Sequence, residues 1–446
     1  MIVMKFGGTS VQDASAMREV AALARAAADR APLIVLSATA RTTDALFEAA
    51  TRAEQGDLAG ALELHAALLD RHRGIAQDLL PAGVPASLQA ALDDLGRELD
   101  LLLRGVALLR ELSPRSMDAI ASLGERLSTR IFAAFAGAAW VDARTVLHTD
   151  AVFGCARPLP DLEARCAELL APQLGPGRIV VTQGYIGATP QGLTTTLGRG
   201  GSDFSAALFG AALGAEDIQI WTDVEGVLTA DPRIVTAAQP IAELGFAEAA
   251  ELAAFGAKVL HPATIQPAVE KGIPVTVRHA RRPQGRFTTI TAEVRTGRPV
   301  TALAHRGPVS VLTVASARML NQSGFLAKLF DVFARHKVSV DLISTAEVSV
   351  SLTVEGDAPL GPLVADLETF ATVGIATGRA IVAVVGERLK HTAGITGLAF
   401  GALRDVNVEM ISMGANEINL SIVVRQEDAK EAVKRLHGAL IEGGLA

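Results

Sequence analysis

Several short stretches of this sequence carry residue types that could do chemistry. Lys5-Phe6-Gly7-Gly8-Thr9-Ser10-Val11 combines two adjacent glycines with a lysine. Such glycines let the backbone approach an anion with its N–H groups free, and the lysine adds a full positive charge. The spacing is neither that of a Walker A loop nor GxGxxG. Two readings stand: a phosphate-binding turn, or a tight strand-to-helix turn with an incidental lysine. Thr194-Thr195-Thr196-Leu197-Gly198-Arg199-Gly200-Gly201-Ser202-Asp203 packs hydroxyls, glycines, an arginine and an aspartate ahead of the apolar stretch Phe204–Leu213. Ser202 and Asp203 could simply cap a helix. Glycines around Arg199 would instead hold a guanidinium on exposed backbone, suited to bidentate capture of a carboxylate or phosphate. Asp203 could also position a lysine or Mg2+. Ser122–Leu127 puts Glu125 near a helix start, where on its own it reads as a capping carboxylate. Trp221–Val227 ends a strand in a glycine turn, with Asp231-Pro232-Arg233 close behind. Phe255–Pro262 carries Lys258, and His261 before Pro262 is most simply a structural hydrogen-bonder.

Composition narrows what these residues can serve. The chain has 446 residues, half of them apolar and a fifth charged, an ordinary globular balance over roughly two to four domains. Its net charge of −7 makes nucleic acid a poor partner, and no apolar run reaches the ~18–20 residues of a membrane span. The opening residues lack an export-type segment, so a cytoplasmic chain is expected. Two cysteines, Cys155 and Cys166, are too few for a disulfide framework or zinc site and read as small apolar fillers. Only 8 of the 41 basic residues are lysine, and none falls between Lys5 and Lys258. A lysine kept against that bias suits a task needing a compact, mobile ammonium.

The elements that must position these residues alternate. Strand Ile2–Met4, the glycine turn, a helix capped by Asp13 or Ser15, and strand Leu33–Leu36 point to a parallel sheet covered by helices. An all-helical subregion is expected over about 44–112, and further strands at Ala139–Val141, Arg178–Thr182, Asp217–Thr222 and Ile273–Arg278. Several end in polar or glycine-rich turns, where open α/β sheets place ligands. The basic, proline-bearing stretch Arg281–Pro308 is the candidate boundary. Beyond it Gly324–Ile343 and Gly394–Ile411 repeat one pattern at an offset of about 68 residues, with Asp341 matched to Glu409 and Ser344 to Ser412. Two βαββαβ modules are expected there.

Together, Lys5–Val11, Leu197–Asp203, Trp221–Gly226 and Phe255–Pro262 resemble the motifs of the aspartate kinases, above all the monofunctional, lysine-sensitive bacterial kind. The resemblance covers nearly the whole chain and is specific as a combination. It implies an α/β amino-acid-kinase fold, with a central, mainly parallel sheet between helix layers, and C-terminal tandem ACT regulatory domains. The expected division is a catalytic domain over about 1–290, a linker at 291–308, and ACT modules over about 315–380 and 381–446 within a regulatory region 309–446. The implied reaction moves the ATP γ-phosphoryl group to the side-chain carboxylate of L-aspartate. The product, 4-phospho-L-aspartate, is the entry to lysine, threonine and methionine synthesis. A carboxylate is already a nucleophile at neutral pH; the difficulty is bringing two anions together, which calls for positioning and positive charge.

By position, Lys5, Phe6, Gly7 and Gly8 resemble the phosphate-binding turn, with Lys5 stabilising the transferring group and Asp203 organising that charge. Arg199 would hold the α-carboxylate of aspartate and Glu125 its α-amino group, with Ser37, Thr43 and Ser202 around the substrate. Thr222, Asp223, Leu228, Arg233, Lys258 and Val259 resemble the nucleotide side. Mg2+ is implied by ATP chemistry rather than by any ligand cluster. Two positions depart from the pattern: Arg41 stands where the family usually has glycine, and Leu228 where close relatives often have tyrosine. In the first ACT module Met319, Gln322, Gly324, Phe325, Leu326, Asp341, Thr345, Ala346, Glu347 and Val348 match the lysine-binding positions, with Gln322 and Ala346 replacing smaller or hydroxyl residues. Asp341 and Glu347 would partner an ammonium group, so lysine is the expected inhibitor. Modules of this kind pair across subunits, so a homodimer or homotetramer is expected. Rival readings are a same-fold kinase for glutamate, N-acetylglutamate or a nucleotide monophosphate, which acceptor assays separate, and a non-catalytic amino-acid sensor, against which intact Lys5, Arg199 and Asp203 argue.

Overall fold

The computed structural model describes residues 1–256, 262–292, 294, 299–319, 323–414 and 416–443. The described residues form two compact units, one within 1–227, 242–246 and 260–293, the other within 228–241, 247–259 and 294–446.

The first unit runs β1 (Ile2–Phe6), α1 (Ala14–Ala26), β2 (Pro32–Leu36), α2 (Thr42–Glu54), α3 (Leu58–Leu79), α4 (Ala86–Leu109), α5 (Pro114–Ala121), α6 (Leu123–Ala136), β3 (Ala139–Trp140), the short helices α7 (Ala143–Val146) and α8 (Leu162–Arg165), β4 (Val180–Gln183), β5 (Ile186–Ala188), β6 (Thr194–Thr196), α9 (Gly201–Leu213) and β7 (Asp217–Thr222). After an excursion comes β8 (Glu243–Gly245); α10 (Phe246–Ala254) belongs from residue 247 on to the second unit, and the first unit resumes with α11 (Pro262–Glu270), β9 (Val275–His279) and β10 (Thr288–Thr291). Eight strands make one sheet in the order β3-β4-β2-β1-β7-β9-β10-β8, with only the β9–β10 pair antiparallel. Strands covered on both faces read as continuous apolar runs, and Ile2, Val3, Met4 and Phe6 of β1 are fully buried. Asp13 caps α1, its Oδ1 accepting from the Ala16 N–H at 2.9 Å. The expected helical subregion is α2 to α4, whose apolar faces join the sheet's core through Leu46, Leu69, Leu92 and Leu99.

From β1 the chain passes to β2 on one side, while β7 pairs on the other. The strand order therefore reverses at β1, and a ligand crevice forms at the carboxyl ends of strands flanking such a reversal. The turns after β1, β2, β4 and β7 hold Gly7–Gly8, Ser37–Arg41, Gly184–Tyr185 and Asp223. Phe6 stacks on Trp221 of β7, ring centroids 5.8 Å apart, and locks the two central strands beneath that crevice.

In the second unit, β11 (Ala302–Ala315), α12 (Phe325–Arg335), β12 (Ile343–Thr345), β13 (Ser349–Glu355), α13 (Leu360–Glu368), β14 (Thr372–Val385), α14 (Ile395–Ala402), β15 (Met410–Met413), β16 (Asn419–Arg425) and α15 (Ala429–His437) form a six-stranded antiparallel sheet, ordered β12-β13-β11-β14-β16-β15, with its helices. The internal repeat is this pair of modules. One feature differs from expectation. Residues 302–306, within the stretch expected as a linker, are strand and pair antiparallel with 381–385 of β14. The second module thus takes its last strand from the chain ahead of the first module, and 309–315 of the same strand serve the first. Without 302–306, one edge of 381–385 would be left with unpaired N–H and C=O groups. No described helix is long and apolar enough to cross a membrane.

Candidate active site

At the carboxyl ends of β1, β2 and β4 lies a cleft of about 660 Å³. Lys5, Gly8, Ser37, Thr43, Glu125, Arg199, Ser202 and Asp203 all line it, although the sequence spreads them over nearly 200 positions. Lys5 Nζ sits 2.6 Å from Asp203 Oδ1, and both side chains are mostly buried, at 12% and 19% exposure. Asp203 stands in the first turn of α9, where the helix dipole favours a negative charge. Gly8 is required by close approach: a Cβ there would lie 2.9 Å from the carbonyl oxygen of Ala38. Phe6 gives the turn only its backbone, its carbonyl accepting from the Ser37 N–H at 3.1 Å.

Gly198 and Gly200, at φ of 77° and 73°, flank Arg199 in left-handed conformations that favour glycine. They turn Arg199 out onto an exposed loop at the rim of the cleft, where it has no carboxylate partner within 4 Å among the described residues. Ser37 Oγ donates to Ser202 Oγ at 3.0 Å, joining the turn after β2 to the start of α9.

Glu125, in the first turn of α6, is 3% exposed. Its Oε1 accepts from the Ala38 N–H at 3.1 Å, while its Oε2 is buried with no hydrogen-bond partner. Desolvation pushes its carboxyl up to about 8, only partly offset by the Ala38 N–H. This is no capping residue. It is a buried acid with one oxygen unsatisfied at the wall of a cleft, and carboxyls perturbed in this way cluster at functional sites.

Thr222 and Asp223 line a separate cleft of about 350 Å³ with Thr9, Ser10, His279 and Arg281, on the far side of the glycine turn. Thr222 Oγ1 donates to Asp223 Oδ1 at 3.1 Å. Leu228 and Arg233 belong to the second unit and line neither cleft; Arg233 is paired with Asp231 at 2.6 Å. Lys258, Val259 and Gln322 lie outside the described residues. Of the effector positions, Met319 ends a short 3-10 turn, Gly324 caps α12 at φ 87°, and Phe325 and Leu326 open that helix. Phe325 packs edge-on against Phe370. Thr345 ends β12, and Ala346, Glu347 and Val348 form the turn from it to β13. Asp341 pairs through Oδ1 with Arg306 at 2.9 Å, and its Oδ2 is buried without a partner.

Among the residues of the larger cleft that sequence reasoning missed are Asp118 and Tyr185. Asp118 accepts from the N–H groups of Gly154 and Thr196 and from the Thr196 hydroxyl, fixing two loops of the wall; nothing local to Met117–Ala119 signals this. Tyr185, at φ 69°, follows β4 into the cleft. It is the chain's only tyrosine, and that singularity was the available signal.

A profile of the amino acid kinase family matches residues 1–279, and one of the ACT domain matches residues 312–358 and 382–440. The chain is 40% identical over 460 residues to the lysine-sensitive aspartokinase 3 of Escherichia coli (strain K12), covering 99% of both. It also resembles the crystal structure of E. coli aspartokinase III in complex with aspartate and ADP, an R-state, with a TM-score of 0.85 at 40% identity over 99% of each chain. A T-state structure of that enzyme with lysine and aspartate gives 0.81 at 38% identity, again over 99% of each chain. With likeness of this extent joined to a kinase sheet and tandem ACT modules, the chain belongs to the aspartokinases, within the amino acid kinase family.

Proposed function

We propose that the larger cleft is where this chain transfers the γ-phosphoryl group of ATP to the side-chain carboxylate of L-aspartate, giving 4-phospho-L-aspartate, the first step toward lysine, threonine and methionine. The observation that carries the reading is a complementary set of charges. Arg199 is a guanidinium with no carboxylate partner among the described residues and suits an α-carboxylate. Glu125 offers an unsatisfied carboxylate oxygen suited to an α-ammonium. Lys5 stands at the glycine turn, where a phosphate fits. An α-amino acid with an acidic side chain matches all three.

The acceptor carboxylate needs no general base. Lys5 offsets the repulsion as the two anions approach; at ~4 Å and an effective dielectric near 20, one such charge is worth about 4 kcal/mol. Asp203 fixes the Lys5 ammonium, so little reorganisation is left for the reaction itself. Ser37, Thr43 and Ser202 surround the acceptor, and the backbone of Phe6, Gly7 and Gly8 faces the phosphates. Thr222 and Asp223, in the cleft beyond the turn, serve the nucleotide. A related enzyme's complex with aspartate and ADP supports these two as the ligands. Mg2+ accompanies ATP and neutralises its phosphates. It needs only one or two protein carboxylates beside them, and no group of three or more ligating side chains occurs among the described residues. Of the four carboxylates lining the cleft, Asp203, beside Lys5, would hold it.

Lysine is the proposed feedback inhibitor, with Asp341 and Glu347 as partners for an ammonium group; the related lysine-bound structure supports this. Assembly into a homodimer or homotetramer through the ACT modules is supported by the edge strand β12, exposed throughout and including Ile343, and by exposed Leu326 and Val348. A coupled ADP-release assay tests the activity. L-aspartate should support turnover, and glutamate and N-acetylglutamate should not. Acceptor-independent ADP release, or a preference for glutamate, would reject the reading.

A further inference from the structure

The turn after β2, Ser37–Arg41, forms one wall of the larger cleft. It is held residue by residue. The Ser37 carbonyl accepts from Ser128 Oγ at 2.8 Å, and the Ala38 N–H donates to Glu125. The Ala40 N–H donates to the Gly8 carbonyl at 3.1 Å, tying this turn to the glycine turn. Arg41 adopts φ 65°, a left-handed conformation unfavourable for a residue with a Cβ. A turn containing such a residue persists when its surroundings over-determine it.

Two of those surroundings come from the helical subregion. Arg71 and His72 are consecutive on α3. Arg71 donates through Nη1 to the Ala40 carbonyl at 2.8 Å and through Nη2 to the Gln12 carbonyl at 3.1 Å, bridging the turn after β2 and the segment after the glycine turn. His72 is fully buried. Its Nδ1–H donates to the Leu68 carbonyl at 2.8 Å, which leaves Nε2 as an acceptor. Thr39 Oγ1 then donates to Nε2 at 3.2 Å, and Thr42 Oγ1 donates to Thr39 Oγ1 at 2.7 Å. With the ring neutral the chain of hydrogen bonds runs from Thr42 to Thr39 to His72, and burial lowers His72 to about 4, so it stays neutral at working pH.

We infer that Arg71 and His72 are positioning residues for the acceptor side of the reaction, setting the turn that carries Ser37 and Thr43 against the phosphate-binding turn. The inference rests on the proposed acceptor role of the cleft. Neither side chain lines the cleft, so their effect on substrate passes through the turn. The departure at Arg41 is thereby explained: a side chain at φ 65° is tolerated because α3 clamps both sides of it.

Steady-state kinetics of R71A in the full-length enzyme tests this. Arg71 lies on the surface, so the variant leaves no buried cavity. The expected result is a fall of about tenfold in kcat/KM for aspartate, with kcat/KM for ATP within about threefold of wild type and an unchanged Tm. H72Q, which keeps a neutral acceptor for Thr39, should retain activity that H72A loses. If R71A affects aspartate less than about three times as strongly as ATP, the inference is overturned. It is also overturned if H72Q is as impaired as H72A. R199A run alongside separates the two layers. No change in the aspartate KM with R199A removes the acceptor reading itself, whereas a large change there with none in R71A removes only the present inference.

Discussion

The buried acid at position 125 makes the aspartate affinity depend on pH in a calculable way. Only the carboxylate can hold an α-ammonium, and burial raises Glu125 to about 8. At pH 7.0 about one free enzyme molecule in eleven has it ionised, so the apparent KM for aspartate is about elevenfold above its limiting value. At pH 8.5 the factor is about 1.3. The wild-type KM should therefore fall about eightfold between pH 7.0 and 8.5. E125Q presents a neutral amide oxygen throughout, so its KM should be flat over that range. A lost hydrogen bond to a charged group is worth about 1.5–3 kcal/mol, which places the E125Q KM about 10- to 150-fold above wild type at pH 8.5. The gap should be about eightfold smaller at pH 7.0. Initial rates with saturating ATP at half-unit pH steps suffice. A wild-type KM constant within twofold, or an E125Q profile as steep as the wild type, would refute the reasoning.

Further outcomes follow from other parts of the molecule. Gly8→Ala brings a Cβ to 2.9 Å from the Ala38 carbonyl oxygen; it should lower kcat/KM for aspartate about ten- to a hundredfold, since the turn must shift, and steady-state rates report it. His72 is lowered from 6.5 to about 4 in the folded state. The unfolded chain therefore binds more protons between those values, and stability is lost as pH falls from 6.5 toward 4. Urea unfolding should show a slope worth up to about 3 kcal/mol across that window, absent in H72Q; equal slopes would contradict it. Glu125 contributes with the opposite sign, its stability being lost as pH rises from about 4.5 through 8, so the comparison is between wild type and H72Q. Lysine should inhibit and threonine should not. Asp341→Asn should raise the half-inhibitory lysine concentration about tenfold or more while leaving uninhibited turnover unchanged.

Much of the fold was legible because it is written in local patterns. Buried strands such as Pro32–Leu36 are unbroken apolar runs between turn signals, and the ACT repeat shows as one pattern used twice. Residues 302–306 were not legible as strand. Their partner, 381–385, is far along the chain, and only the pairing shows that the second module needs them. The site divides in the same way. Glycine turns announce Lys5 and Arg199 locally. Glu125 looks like a cap in sequence, because its burial and its bond to Ala38 arise from packing α6 against the turn after β2. His72 is 33 residues from Thr39 and carries no motif at all. Groups whose chemistry comes from desolvation and distant partners leave little trace in local sequence.

The central claim is that the Lys5 ammonium, held by Asp203 and joined to the glycine turn, stabilises the phosphoryl group in flight. The most direct measurement is kcat and the aspartate KM of Lys5→Ala. The account predicts a fall in kcat of about a hundredfold or more, with the aspartate KM within about threefold of wild type. A kcat kept within tenfold beside a steep rise in the aspartate KM would contradict it.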